Sequence, residues 1–160
     1  MPSRRPLSSG LPDDRGWRDY AGSVPGPGDP MKRPSRSALI VSDSAPLRRY
    51  AAAALEAGGF ICAESTSGFQ AMDRFHATRF SLYVIDLDMP PSDGLSMFAI
   101  TLTGTNDERP PVIIGCTHSG SLQADGPWSN RRAFAAVLVK PFRPMELLGA
   151  ATTSLETAAF

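Results

Sequence analysis

From residue 38 onward, short apolar runs alternate with segments whose apolar residues recur at helical spacing. Residues 38–41 are continuously apolar and end at Ser42-Asp43, the pattern of a strand covered on both faces. Pro46 suits the first turn of a helix. Leu47, Tyr50, Ala51, Ala54 and Leu55 then fall on one helical face, and Gly58-Gly59 supplies the stop. Residues 60–63 predict a second strand. Ser67 can cap a helix whose apolar face is Phe69, Met72 and Phe75. A third strand is expected over 82–85, ending in Asp86, and Asp93-Gly94 opens a helix carrying Leu95, Phe98, Ala99 and Leu102. Residues 112–114 continue through Gly115 and Cys116 as a fourth strand, and 135–139 form a fifth that stops at Lys140-Pro141. The last helix starts at Pro144 and presents Leu147, Leu148, Ala151 and Leu155. Five strands alternating with helices predict an α/β domain, a parallel sheet covered on both faces. One segment breaks the rhythm. Between His118 and Phe134, where a fourth helix belongs, stand Gly120, Gly126 and Pro127, so that helix is expected to be irregular or short.

Composition changes near residue 36. Residues 1–35 hold seven prolines, five glycines and five serines with scarcely any aliphatic side chains. Such a stretch cannot bury enough apolar area to offset its ordering entropy. The expected organisation is therefore a disordered tail over 1–35 and one folded domain over 36–160. Sixteen basic and sixteen acidic residues give no net charge, which argues against a nucleic-acid-binding body. No apolar run is long enough to span a bilayer, and Leu7 and Leu11 are too isolated for a signal peptide. The expectation is a cytoplasmic protein with no nucleic-acid or membrane partner, its thiols Cys62 and Cys116 reduced and buried.

Open α/β sheets bind their ligands outside the carboxyl ends of the strands. The polar residues expected there are Ser42 and Asp43 from the first strand, Asp86 from the third, Thr117 from the fourth and Lys140 from the fifth. If the first and third strands are neighbours, Asp43 and Asp86 converge. Two close carboxylates suit Mg²⁺, which takes few protein oxygens and keeps water and phosphate in its shell. A carboxylate beside such an ion can act as a nucleophile towards a phosphoryl group. Lys140 would balance the developing charge, and the Thr117 hydroxyl could bond a phosphoryl oxygen.

The run Val84-Ile85-Asp86-Leu87-Asp88-Met89-Pro90, followed by Asp93-Gly94, resembles the phospho-acceptor strand and loop of two-component response-regulator receivers. Lys140-Pro141-Phe142 is similar to their Lys-Pro-aromatic turn, where a cis bond before the proline is usual, and Gly115-Cys116-Thr117 to their switch strand end. The resemblance covers roughly residues 37–157 and lies in the ordered set of motifs. It implies a flavodoxin-like (βα)5 fold of strand order 2-1-3-4-5. It further implies Asp86 as phospho-acceptor, Asp43 as a metal ligand, the backbone carbonyl of Asp88 on the Mg²⁺, and Lys140 with Thr117 as the phosphate-binding and switch pair. Pro141 and Gly94 take structural places. A histidine kinase or histidine phosphotransfer protein would be the donor, and an unknown protein the target. No second folded domain being visible, output is expected through protein contact, with no enzymatic activity beyond self-phosphorylation and slow autodephosphorylation.

The sequence departs from that pattern in places. Receivers usually end the first strand with two acidic residues, and the first is here Ser42, able to hold a metal-bound water but carrying no charge. Val137 stands where an aromatic switch residue is common. Counted from Pro111, the hydroxyl position comes one residue late, so Cys116 or Thr117 could fill it, and Thr117 is the better donor. Ser42 and the irregular 118–134 segment favour an alternative, a receiver-like module that binds partners without phosphorylation. Asp86-Leu87-Asp88 also resembles the Asp-x-Asp of haloacid-dehalogenase-type phosphatases, although that motif belongs on a first strand.

Overall fold

Strand β1, Ser37–Val41, is buried along its entire length, as continuous apolar patterning predicts for the centre of a parallel sheet. The computed structural model describes residues 36–90, 93–104, 110–118 and 133–158. After β1 come α1 (Ala45–Glu56), β2 (Ile61–Ser65), α2 (Gly68–Ala77), β3 (Leu82–Asp86), α3 (Leu95–Thr103), β4 (Val112–Thr117), β5 (Ala136–Val139) and α4 (Pro144–Ala158). All strand pairs are parallel, in the order β2-β1-β3-β4-β5. The flavodoxin-like expectation therefore holds for the sheet. Residues 119–132, nearly all of the segment where an irregular fourth helix is expected, and the tail over 1–35 lie outside the described residues.

Each helix begins where a local signal places it. Ser44 caps α1 by accepting a hydrogen bond from the Leu47 amide at 3.3 Å, and Ser67 caps α2 through the Gln70 amide at 3.1 Å. Each satisfies an amide that a helix start leaves without a partner. Helices α1 and α4 cover one face of the sheet, setting Ala51, Leu55, Leu147 and Ala151 against Ala38, Ile40, Leu82, Val84, Ile114 and Cys116. Helices α2 and α3 pack on each other, and there the Phe75 and Phe98 rings meet Tyr83 of β3 at 5.9 and 6.3 Å between centroids. Strand residues alternate between faces, so the even-numbered positions of β1 and β3 look towards α1 and α4. That parity decides what reaches the site.

Helix α2 differs from its expected face. Phe69 is 51% exposed, while Gly68, Ala71, Arg74 and Phe75 are the buried positions. The cause is a close approach of two backbones: a Cβ on Gly68 would stand 2.3 Å from the Gly94 carbonyl. Small residues must occupy that contact, and the Phe69 ring covers Gly94 from outside. Gly94 itself has a φ of 81°, in the left-handed region where a side chain is strained. Among the described residues, no helix is long and apolar enough to cross a membrane.

Cys116 lies in the core beneath α1 and α4, and Cys62 is half-buried with its thiol directed at the Ala52 carbonyl. Burial pushes both thiols up to about 12, helped at Cys62 by the carboxylates of Glu56 and Glu64. Since the thiolate is the reactive form, iodoacetamide at pH 8 should label neither cysteine in the folded protein and both in denaturant. Rapid labelling of Cys116 under native conditions would contradict this packing.

Candidate functional site

Strands β1 and β3 pair with Val41 opposite Ile85, so the next residues in register are Ser42 and Asp86. Both are buried, and the Ser42 hydroxyl donates to Asp86 Oδ2 at 2.7 Å. Asp43 falls on the opposite parity. It is exposed and takes part in no hydrogen bond among the described residues. Ser42 thus makes the direct side-chain contact with Asp86 from the end of β1. Arg48 of α1 closes this side, donating from its guanidinium to the Ser42 carbonyl at 2.9 Å while it pairs with Glu64 at 2.9 Å.

The other side of Asp86 is built by β4 and β5. Pairing of Thr117 with Val139, continued by a hydrogen bond from the Lys140 amide to the Thr117 carbonyl at 2.9 Å, brings Lys140 to the mouth of the sheet. Its ammonium Nζ lies 2.6 Å from Asp86 Oδ1 and 3.1 Å from Asp88 Oδ2. The turn that follows is fixed by a cis bond between Lys140 and Pro141, by burial of Phe142, and by the Tyr50 hydroxyl, which donates to the Phe142 carbonyl at 2.5 Å.

Asp88 sits two residues beyond β3. Its amide donates to Asp86 Oδ1 at 2.9 Å, and its carboxylate collects three donors. The Thr117 hydroxyl reaches Oδ1 at 2.9 Å, and the His118 amide reaches Oδ2 at 3.0 Å beside Lys140. The His118 imidazole is exposed, 3.8 Å from the same oxygen. Partial burial pushes the Asp88 carboxyl upward, but the hydrogen bonds from Lys140, Thr117 and the His118 amide outweigh it and hold the group below the usual carboxylate range. Burial likewise works downward on Lys140, yet its bonds to Asp86 and Asp88 raise it above an ordinary lysine. Cys116 points into the core rather than to this cluster.

The structure therefore brings together Ser42, Asp86, Asp88, Thr117 and Lys140. Asp43, the residue after Ser42, is exposed. Sequence reasoning gave Asp88 only a backbone part and gave Arg48 and the His118 amide none. The Asp-x-Asp spacing was the available signal for Asp88, because a second carboxylate two residues past a strand end can turn back to that end. The Arg48 contact had no such signal. Chemically, the cluster is a buried carboxylate held by a cation and a hydroxyl, with further oxyanion donors alongside.

Residues 38–152 match the family model of the response regulator receiver domain. Curated relatives include the response regulator receiver protein CpdR of Brucella abortus, 29% identical over 69% of this chain and 88% of that protein. Another is the protein PilG of Pseudomonas aeruginosa, 28% identical over 70% of this chain and 82% of its own. Among solved structures, the chemotaxis response regulator CheY4 of Vibrio cholerae superposes with a TM-score of 0.64 at 22% identity, covering 75% of this chain and 98% of that one. That likeness is one of fold.

Removing the shared cation should unbalance the cluster. Lys140→Met leaves a carboxylate that is 4% exposed without its counter-ion, and such losses cost about 3 kcal/mol. The lowered Asp88 group contributes stability that is present above its ordinary value of 3.8 and lost as pH falls through the folded value. The raised Lys140 group contributes below 10.5 and ceases to do so as pH rises through its folded value. Denaturant melts of parent and variant should thus differ most from about pH 5 to 9 and converge in strong acid and strong base. Equal stabilities at pH 7 would show that the ion pairs are not formed in solution.

Proposed function

The chain belongs to the response regulator receiver family of two-component systems, and from that premise we propose that Asp86 accepts a phosphoryl group. The donor is the phosphohistidine of a histidine kinase or of a histidine phosphotransfer protein. An oxygen of the Asp86 carboxylate attacks phosphorus, and the P–N bond to the donor imidazole breaks. The imidazole keeps that electron pair and gains a proton, leaving an aspartyl phosphate. Lys140 holds the negative charge that gathers on the phosphoryl oxygens, and Thr117 can donate to one of them. The observation that carries the reading is the 2.6 Å contact between Lys140 Nζ and a carboxylate buried at the end of β3.

Receivers of this family work with Mg²⁺. No group of three or more His, Cys, Asp or Glu able to hold a metal occurs among the described residues. Mg²⁺ requires only one or two carboxylates when water and phosphate complete its shell. The donors present fit that minimal arrangement: Asp86 and Asp43 as carboxylates, the Asp88 carbonyl, and Ser42 through a water. When bound, the ion would offset charge on the transferring phosphoryl group. Ser42, in register with Asp86, replaces a carboxylate by a hydroxyl and so weakens this ion's hold.

Output is a protein contact, in keeping with a signalling module rather than an enzyme. A second reading, partner binding independent of phosphorylation, is favoured by one observation, that Ser42 and not an acid faces Asp86. Family membership leaves the haloacid-dehalogenase-type reading without support.

Incubation with acetyl phosphate and Mg²⁺ should add one base-labile, hydroxylamine-sensitive phosphoryl group, and Asp86→Asn should add none. Undiminished labelling of Asp86→Asn would remove Asp86 from its role. Ser42→Asp should bind Mg²⁺ about tenfold more tightly than the parent, the scale of one screened charge at close range. The same substitution should lower the melting temperature without Mg²⁺, because it sets two buried carboxylates face to face. Equal Mg²⁺ affinities would mean that position 42 does not face the ion.

A further inference from the structure

Asp88 holds what a phosphoryl group would need. A phosphorylated side chain presents strong acceptor oxygens carrying close to two negative charges, and its natural partners are an ammonium, a hydroxyl and backbone amides. Those three kinds of donor converge beside Asp86, as Lys140 Nζ, Thr117 Oγ1 and the His118 amide, and all three are bonded to the Asp88 carboxylate at 3.1, 2.9 and 3.0 Å. A threonine hydroxyl and a backbone amide have one proton each. Neither donor can serve Asp88 and a phosphoryl oxygen at once.

We propose that the Asp88 carboxylate is the resident occupant of the subsite for the transferred phosphoryl oxygens, and that phosphorylation must expel it. The inference rests on the reading of Asp86 as acceptor and adds a competitor to it. Two features set the competition. The Asp88 amide is tied to Asp86 Oδ1 at 2.9 Å, so its side chain starts within reach of the subsite and returns to it unaided. Its side chain is 31% exposed whereas that of Asp86 is 4% exposed. Asp88 can therefore leave for water, and Asp86 cannot. A new dianion beside a carboxylate supplies the repulsion that drives the exit. Until then, Thr117 is held at the site by a carboxylate in place of phosphate. Asp88 is in this sense a positioning residue that sets how readily the site is filled.

The test separates the subsite from the acceptor. In the full chain carrying Asp86→Asn, inorganic phosphate is titrated without metal and the His118 amide is followed by NMR. Adding Asp88→Ala or Asp88→Asn should tighten phosphate binding about tenfold, as expected for removal of one close like charge and release of its donors. Asp88→Asn keeps the shape and an acceptor for Thr117, so the comparison survives if Asp88→Ala does not fold. Asp73→Asn removes an exposed charge on α2, away from these donors, and should change the affinity by less than about twofold, the effect of a screened charge. Unchanged or weaker binding in the Asp88 variants, or an equal gain in Asp73→Asn, overturns the proposal, since a purely structural part for Asp88 would not raise anion affinity. Acetyl phosphate labelling with Asp86 intact reports on the acceptor separately. If no chain is labelled while the Asp88 variants still gain phosphate, the subsite stands and the acceptor assignment fails.

Discussion

One ammonium group holds two carboxylates at the mouth of this sheet. Lys140 Nζ lies 2.6 Å from Asp86 and 3.1 Å from Asp88, and without it two like charges would share a site of which one member is almost fully buried. Removing a buried anion from water costs several kcal/mol unless a partner compensates. Asp86 meets that condition through Lys140, Ser42 and the amide of Asp88, which together serve both of its oxygens. An acid that is buried, charged and already surrounded by donors is suited to receive a group that brings more negative charge.

The fold delivers this arrangement through register and parity. The sheet order places β3 between β1 and β4, with β5 beyond, so the ends of four adjacent strands open on one side. The 41-to-85 pairing then selects Ser42 as the residue facing Asp86, and the 117-to-139 pairing selects Lys140 as the residue that follows. Shifting any pairing by one residue would turn these side chains to the other face. Gly68 and Gly94 let α2 and α3 meet closely enough for the Phe75, Tyr83 and Phe98 rings to fill the opposite layer.

Much of this was legible in the sequence because buried strands have short apolar runs and the helices have caps. The spans of β1, β3, α3 and β4 follow from their apolar residues, and Ser67 marked the start of α2. What escaped notice shares a cause: it depends on which face a residue takes. Asp43 and Ser42 are both just past the end of β1, and only the register of β1 on β3 shows which one faces Asp86. Phe69 fits the helical period of an apolar face, but the close backbone contact at Gly68 and Gly94 leaves it outside while Phe75 stays in the core. The carboxylate of Asp88 reaches donors at the ends of β4 and β5, and the Asp-x-Asp spacing marks its position without marking those partners. The direction of Arg48 is equally a product of the assembled site.

Reductive trapping addresses the assignment of Asp86 most directly. Borohydride converts an aspartyl phosphate to homoserine, and peptide mass spectrometry then locates the modified residue. After brief exposure to acetyl phosphate and Mg²⁺, homoserine is expected at position 86 and at no other aspartate. Homoserine at Asp43 or Asp88, with Asp86 intact, would contradict the assignment.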